Sequence, residues 1–421
     1  MKRLEGELAK MVFVVVPMVL QPLLNFCFLL LVARASSLEV YGSLALCIVL
    51  VSIIVGFSDL GLRDYLLSKP AVDSGLSNGE NLFFPSSMVY MIMVGMTIAY
   101  LEFIGGNNLG TYLLLASLPE AFALGVLQKS LFFHYQKQDR LVRFSSIDAF
   151  HRSLPFVLKI GLYWLTGNIV MSVLVGSLVT LISYAFWFSF QCVRIPGFFS
   201  QGARPSITLL LIIKRWRSWA PFTISFLSFF LYFGADRILI DAFLGSEALA
   251  IFAAAYSFIA LGQIVVTAFW SLFMPRISRG SEVFSKRGFL FLAAGMSTVI
   301  FVGYQIFATY LFGYIYPESF SEASVILAIM SSFFIFRLIN VVFEMHWIAA
   351  DRYSTFVKMR VGCGVLSVTL NALLIPVYGL LAPALVVVLA EAILLLMILC
   401  AEWRWHRALG LLPIDTVVTP E

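Results

Sequence analysis

The chain has 421 residues, of which 61% are hydrophobic and 12% are charged, and it carries a net charge of +5. Soluble domains average about 25% charged residues, because a soluble protein must cover its core with polar side chains. The mean hydropathy of +0.96 therefore excludes a soluble protein and predicts a polytopic membrane protein. The sequence lacks the Gly-x4-Gly-Lys-Ser/Thr phosphate loop, which excludes a nucleotide motor of that type within this chain.

Twelve apolar runs follow one another along the chain, most of them close to the roughly 20 residues that a membrane-spanning helix needs. The fifth run is shorter and more polar than the others. We predict an all-α protein with membrane spans at 11–33, 41–58, 84–104, 110–130, 153–166, 169–191, 218–240, 247–272, 288–312, 323–348, 357–377 and 380–401.

The positive charges indicate how these spans are oriented. With the N-terminus on the cytoplasmic side, 24 of the 28 Lys and Arg residues fall in cytoplasmic segments or at the cytoplasmic ends of spans, three lie within spans, and only Arg34 falls outside. Cytoplasmic loops are enriched in Lys and Arg in this way. The pattern predicts that both termini are cytoplasmic. Orientation alone then explains the net charge, so no nucleic-acid partner is expected.

The two halves of the chain resemble each other. The segment 35–45 between the first two spans has a counterpart at 243–253, between spans seven and eight, at an offset of about 210 residues. An even number of spans per half would place both halves in the membrane in the same sense, with a binding site at their interface. We predict an N-terminal six-helix lobe at 1–200 and a C-terminal six-helix lobe at 201–421, around a central cavity.

Charged residues inside spans are the first candidates for a site, because each costs roughly 2.5–3.5 kcal/mol near the bilayer centre. In span 323–348, Arg337, Asn340 and Glu344 lie within an arc of about 60° on one helix face. This stripe either lines a hydrated cavity or forms a network that only locks helix packing. We favour the cavity, with Arg337 and Asn340 contacting a substrate and Glu344 in coupling.

Two further spans carry polar stripes at equivalent places in the two halves. Span 218–240 carries Asp236 and Arg237 close to its end. Span 11–33 places Gln21 and Asn25 one turn apart. Arg237, Gln21 and Asn25 are predicted to contact a substrate, and Asp236 is a coupling candidate. The alternatives are an Asp-Arg pair that anchors the helix end, and buried amides that hold helices together.

Lys159 in the fifth span is the last residue that we predict to contact the substrate. Asp59 and Arg63 lie at the end of the second span and form either a gate or a surface pair. Glu120 and Glu391 are interpreted as hydrogen-bonded carboxyl groups outside the cavity, with a proton relay as the alternative. The five cysteines are scattered without a Cys-x-x-Cys motif and are interpreted as small core residues. No metal site and no cofactor are predicted.

Several local motifs resemble those of one transporter family. They are Ala-Asp-Arg-Ile-Leu-Ile at 235–240, Leu-Gly-Ser-Glu-Ala at 244–248, Ala-Ala-Ala-Tyr at 253–256, Met-Pro-Arg-Ile-Ser at 274–278, Phe-Ser-Asp-Leu-Gly-Leu-Arg at 57–63 and Asn-Ala-Leu-Leu-Ile-Pro-Val-Tyr-Gly-Leu at 371–380. The chain resembles the polysaccharide transporters, the lipid-linked oligosaccharide flippases of the multidrug/oligosaccharidyl-lipid/polysaccharide (MOP) exporter superfamily. The resemblance covers the whole chain in span number and loop length.

The resemblance implies a flippase, not an enzyme, in the bacterial cytoplasmic membrane. Its substrate would be an undecaprenyl-pyrophosphate-linked oligosaccharide used for O-antigen or exopolysaccharide. Its partners would be membrane lipids and possible neighbours in the pathway, a polymerase and a chain-length regulator. A cation-coupled drug exporter of the same superfamily is the main alternative. A membrane glycosyltransferase or polymerase is disfavoured, because the predicted outer loops are short.

Overall fold

A computed structural model describes residues 2–58, 61–62, 80–103, 108–137, 140–194, 216–278, 286–350 and 352–408. Within these ranges the backbone is helical apart from short turns and contains no strand, which confirms the predicted all-α class. The α-helices are α1 Lys2–Ala35, α2 Leu38–Phe57, α3 Glu80–Phe103, α4 Asn108–Phe122, α5 Lys129–Lys137, α6 Leu141–Thr166, α7 Ile169–Arg194, α8 Trp216–Phe233, α9 Ala235–Leu244, α10 Ser246–Ser278, α11 Lys286–Ile306, α12 Phe312–Ile315, α13 Glu322–Ser331, α14 Phe333–Ala349, α15 Tyr353–Tyr378 and α16 Leu381–Ala408.

Most of the described helices have the length and hydropathy that crossing a membrane requires. Nine segments within the described ranges meet both criteria, and Val19–Ala35 in α1 is a shorter apolar helix. Two predicted spans lie outside this set: 153–166 falls in α6, which carries several charged residues, and 218–240 is divided at Gly234 into α8 and α9. The chain is therefore a multi-span membrane protein, as predicted.

The helices cluster into two compact units. Unit 1 comprises Met1–Leu227 with Gly245–Ala250, and unit 2 comprises Ser228–Leu244 with Ile251–Glu421. The predicted lobe boundary at residue 200 lies outside the described residues.

Unit 1 is built from pairs of packed helices, with α1 on α6, α2 on α4, and α7 on both α4 and α6. A π-helical turn, Ala123–Gln128, joins α4 to α5, and the Ser58 hydroxyl donates a hydrogen bond to the Gly125 carbonyl oxygen there at 2.7 Å. Buried aromatic rings, including Tyr135, Phe144 and Trp187, fill the core beside this turn. Helix α6 begins at Leu141, ahead of the predicted fifth span at 153–166.

Unit 2 pairs α15 with α16, α11 with α14, and α14 with α16. The turn between α15 and α16 passes through Gly379, whose φ of +59° lies in the left-handed region that glycine adopts without steric cost. Large aromatic side chains, among them Phe269, Phe289 and Phe334, are fully buried in this unit. Residues of α10, α14 and α15 line the pocket described below.

Gly262 on α10 is a point of close packing within unit 2. A Cβ atom at this position would lie 2.3 Å from Cζ of Phe334 and 2.9 Å from the Tyr304 hydroxyl. Both rings are fixed, because they stack on each other and the Tyr304 hydroxyl donates to the Phe258 carbonyl oxygen at 2.6 Å. Gly262→Ala is therefore expected to destabilise the protein by about 1–3 kcal/mol through overpacking.

The matched control is Gly303→Ala on α11, where nothing lies within 4 Å of the added Cβ. Alanine is the better helix former, so this variant should unfold at an equal or higher temperature. Thermal unfolding of both purified variants in detergent checks the prediction. Equal unfolding midpoints for Gly262→Ala and the wild type would contradict it.

Candidate functional site

A pocket of about 460 Å³ opens within unit 2 between α10, α14 and α15. Its volume lies in the range of roughly 300–1,000 Å³ that is common for small-ligand sites. The lining residues are Tyr256, Ala260, Gln263, Val266, Thr267, Trp270, Arg337, Val341, Glu344 and Arg360.

Two arginines give one side of the pocket a positive character. Arg337 on α14 is 8% exposed and Arg360 on α15 is 7% exposed. An Nη1 of Arg360 donates to Oε1 of Glu344 at 3.2 Å, so one carboxylate offsets one of the two cations. The lining itself holds two cations and one carboxylate, while a second carboxylate, Glu391, lies 3.6 Å from Nη1 of Arg337 outside the lining. Guanidinium groups suit phosphate oxygens, because their planar donors can bind two of them at once.

Glu391 on α16 lies next to Arg337 and outside the pocket lining. Its side chain is fully buried, and its Oε1 lies 3.6 Å from Nη1 of Arg337. Asn340 donates through Nδ2 to Oε2 of Glu391 at 2.5 Å and to the Glu391 carbonyl oxygen at 3.0 Å. The three residues form a buried group in which Glu391 is hydrogen-bonded, as the sequence predicted for it.

Asn340 does not line this pocket. Its side chain is 0% exposed and does not line the pocket, so it is not in a position to contact a substrate there. Helix geometry gives the reason: Arg337 and Glu344 are seven residues apart and point within about 20° of each other, while Asn340 is turned about 60° from Arg337. The predicted stripe therefore divides, with Arg337 and Glu344 on the pocket and Asn340 facing α16.

Arg237 and Asp236 lie next to the pocket at the start of α9. The guanidinium of Arg237 stacks over the ring of Tyr256, with its Cζ 4.2 Å from the ring centroid, and Tyr256 lines the pocket. Asp236 is buried; its Oδ1 accepts a hydrogen bond from the Arg237 backbone amide at 2.8 Å and lies 3.9 Å from Nε of Arg237. Arg237 thus supports a wall of the pocket, and a carboxylate in the first turn suits the positive end of the helix dipole.

Lys159 lies in unit 1, in a buried ion pair. It is 5% exposed, and its Nζ is 2.5 Å from Oε2 of Glu120, which also accepts from the Ser177 hydroxyl at 3.3 Å. Gly176 makes room for the lysine, because a Cβ there would lie 2.4 Å from its Cγ. The structure therefore places Lys159 in a paired position between α4, α6 and α7, and it is not among the residues that line the pocket in unit 2.

Gln21 belongs to a second polar group in unit 1. Its Oε1 accepts from Nη1 of Arg152 at 2.7 Å, and Nε of Arg152 lies 2.9 Å from Oδ2 of Asp148. The Tyr184 hydroxyl donates to Oδ1 of the same aspartate at 2.6 Å. Asn25 lies half-buried one turn further along α1. Asp59 and Arg63 lie outside the described residues.

The sequence analysis missed several residues of these groups. Arg360 and Arg152 were counted with the cytoplasmic charges and were not considered as site residues, and Asp148 was not considered either. The four-residue spacing of Asp148 and Arg152 predicts an ion pair between them, because residues four apart are neighbours on a helix surface. Gln263 and Trp270 were not singled out, although their seven-residue spacing puts them on one face of α10.

The fold is that of the MOP superfamily transporters. A multidrug resistance MATE family transporter in an inward-facing conformation has a TM-score of 0.70 at 13% identity, covering 95% of this chain and 99% of that one. The lipid II flippase MurJ, in an inward closed conformation, gives 0.69 at 13% identity, covering 92% and 86%. A MOP superfamily transporter from Pyrococcus furiosus gives 0.61 at 14% identity, covering 95% and 96%.

The sequence comparison identifies the family. Residues 8–281 match the family model described as polysaccharide biosynthesis protein, and the chain belongs to that family. The capsular polysaccharide biosynthesis protein CapF of Staphylococcus aureus is 21% identical over 393 residues, which cover 90% of this chain and 94% of CapF. Both the predicted membrane-transporter fold and the predicted family are confirmed.

Proposed function

We propose that this protein is a flippase that moves undecaprenyl-pyrophosphate-linked oligosaccharide repeat units across the bacterial cytoplasmic membrane for surface polysaccharide synthesis. The observation that carries the proposal is the pair of arginines in the unit 2 pocket of a polysaccharide biosynthesis family member. A pyrophosphate is costly to move through an apolar region, and fixed guanidinium groups in a hydrated pocket offset that cost.

In this proposal the pocket residues have distinct tasks. Arg337 binds the pyrophosphate, and Glu344 holds Arg360 in position and takes part in coupling. Arg237 keeps Tyr256 in place, and Asp236 in turn orients Arg237. Gln21 and Asn25 remain candidates for contact with the substrate in the N-terminal half, and Asp59 with Arg63 remains a candidate gate. The two lobes alternate access between the two sides of the membrane, which matches the mechanism of other repeat-built transporters.

The proposal includes orientation and partners. Both termini lie in the cytoplasm, following the distribution of Lys and Arg, and the protein carries out transport without catalysis. Membrane lipids surround it, and a polymerase and a chain-length regulator of the same pathway are its proposed neighbours.

A drug exporter is the second candidate, because the fold likeness to a multidrug resistance transporter is as close as that to MurJ. Cationic drugs need a pocket with excess negative charge, whereas this pocket is lined by two arginines and one glutamate. Guanidinium donors on the lining therefore favour an anionic substrate.

A clean deletion of the gene is expected to lower surface polysaccharide and to accumulate lipid-linked repeat units on the cytoplasmic leaflet. The intermediate would still be made but would no longer reach the outer face. Extraction and quantification of lipid-linked glycans, with the wild-type gene restored as the control, measures this. Unchanged lipid-linked pools in the deletion strain would overturn the flippase proposal, and increased drug sensitivity without a glycan change would support the exporter.

A further inference from the structure

One face of α10 forms an uncharged polar wall of the unit 2 pocket. Tyr256, Ala260, Gln263, Thr267 and Trp270 all line the pocket. Their spacings of four, three, four and three residues put them in a single stripe along the helix. At a rise of 1.5 Å per residue the stripe is about 21 Å long. This wall differs in chemistry from the arginine-bearing side on α14 and α15.

The polar groups on this wall are available to a ligand. Among the described residues, neither the Gln263 amide nor the Trp270 indole makes a hydrogen bond to the protein. The amide can donate two hydrogen bonds and accept others, and the indole can donate one. The Thr267 hydroxyl donates to the Gln263 carbonyl oxygen at 2.9 Å, so its oxygen is left as an acceptor.

A neutral ligand with many hydroxyl groups and one apolar face fits this set of groups. A sugar ring has both: its C–H bonds form a flat face that packs on an aromatic ring, and its hydroxyls pair with amide and hydroxyl groups. Tryptophan offers the largest such ring together with a polar N–H. A phosphate, by contrast, finds on this wall none of the cationic donors that Arg337 and Arg360 supply.

We propose that the α10 face is the glycan-binding subsite of the pocket, where Trp270 stacks on a sugar ring and Gln263 binds its hydroxyl groups. This inference rests on the proposed flippase function and divides the pocket into two parts. The arginine side holds the pyrophosphate, and the α10 side recognises the sugar attached to it. Gln263 thereby takes the role that the sequence had suggested for Asn340.

Binding of two probes to the purified full-length protein tests this division. One probe is undecaprenyl pyrophosphate without sugar, and the other is the lipid-linked glycan extracted from membranes of the deletion strain. Trp270→Ala is expected to weaken binding of the glycan-bearing lipid roughly tenfold. It should leave binding of undecaprenyl pyrophosphate within about twofold of wild type. Arg337→Gln, in contrast, should weaken binding of both probes.

Two further variants distinguish loss of glycan binding from misfolding of Trp270→Ala. Trp270→Phe keeps a stacking ring and should retain most of the glycan binding, and Gln263→Ala should weaken it severalfold. Trp403→Ala on α16 is the matched control, because Trp403 is exposed and outside the pocket. It should change neither affinity.

The outcomes separate this inference from the proposed function. If Trp270→Ala and Gln263→Ala weaken both probes equally, or neither, the α10 face is not a glycan subsite, while the flippase proposal stands. If the wild-type protein binds neither probe, the flippase proposal fails, and the subsite falls with it. Loss of ethidium binding in Trp270→Ala, with unchanged glycan binding, would assign the wall to an aromatic drug instead.

Discussion

Arg337→Gln is expected to lower transport of lipid-linked repeat units by roughly 10- to 100-fold, which is the effect of losing one charge-assisted hydrogen-bonding group to an anion. Arg337 combines a position on the pocket with a neighbouring carboxylate, Glu391, which lies 3.6 Å away. Arg337→Lys should recover part of the activity, because it restores the charge without the planar fork that binds two phosphate oxygens.

The measurement is complementation of the deletion strain, read as surface polysaccharide and as the accumulated lipid-linked pool. Protein in the membrane is quantified at the same time by immunoblot. Arg194→Gln is the matched control, because Arg194 is an exposed arginine at the end of α7 in unit 1. Normal transport by Arg337→Gln would exclude the pocket as the substrate path. Disappearance of the variant from the membrane would show that Arg337 mainly stabilises the buried Glu391.

The fold was largely predictable because a membrane span has a strong one-dimensional pattern. Length and hydropathy predict where the apolar helices lie, and the described helices follow that order. Helix α6 shows what a hydropathy pattern leaves out. Asp148 and Arg152 lower its hydropathy, so its first half was assigned to a cytoplasmic segment. Their partners, Gln21 and Tyr184, lie on α1 and α7, and no local pattern connects them.

Only the part of the site that lies on a single helix could be predicted from the sequence. The seven-residue spacing of Arg337 and Glu344 predicts a shared face, and both line the pocket. Tertiary packing determines which way α14 is rotated about its own axis. In this rotation Asn340 faces α16 and donates a hydrogen bond to Glu391, and it does not line the pocket. The contribution of Arg360 depends on its ion pair with Glu344 on α14, and a contact between two helices leaves no pattern in either helix alone.

Glu120→Gln is expected to destabilise the protein by about 3–5 kcal/mol, because it leaves a buried lysine without its carboxylate. Lys159 is 5% exposed, and its ammonium group lies 2.5 Å from Glu120. Ser177→Ala is the matched control. It removes only a hydroxyl that donates to the same carboxylate at 3.3 Å, so it should cost about 0.5–1.5 kcal/mol.

The double variant Glu120→Gln with Lys159→Met distinguishes a paired charge from a substrate-binding cation. Removing both charges of a buried pair is often close to neutral, so the double variant should recover most of the stability lost in Glu120→Gln. Unfolding in detergent measures the cycle, and purely additive losses would contradict a direct pairing. If the double variant is stable and still transports, Lys159 serves packing. If it is stable but inactive, the predicted substrate role of Lys159 holds, since stability alone cannot account for that loss.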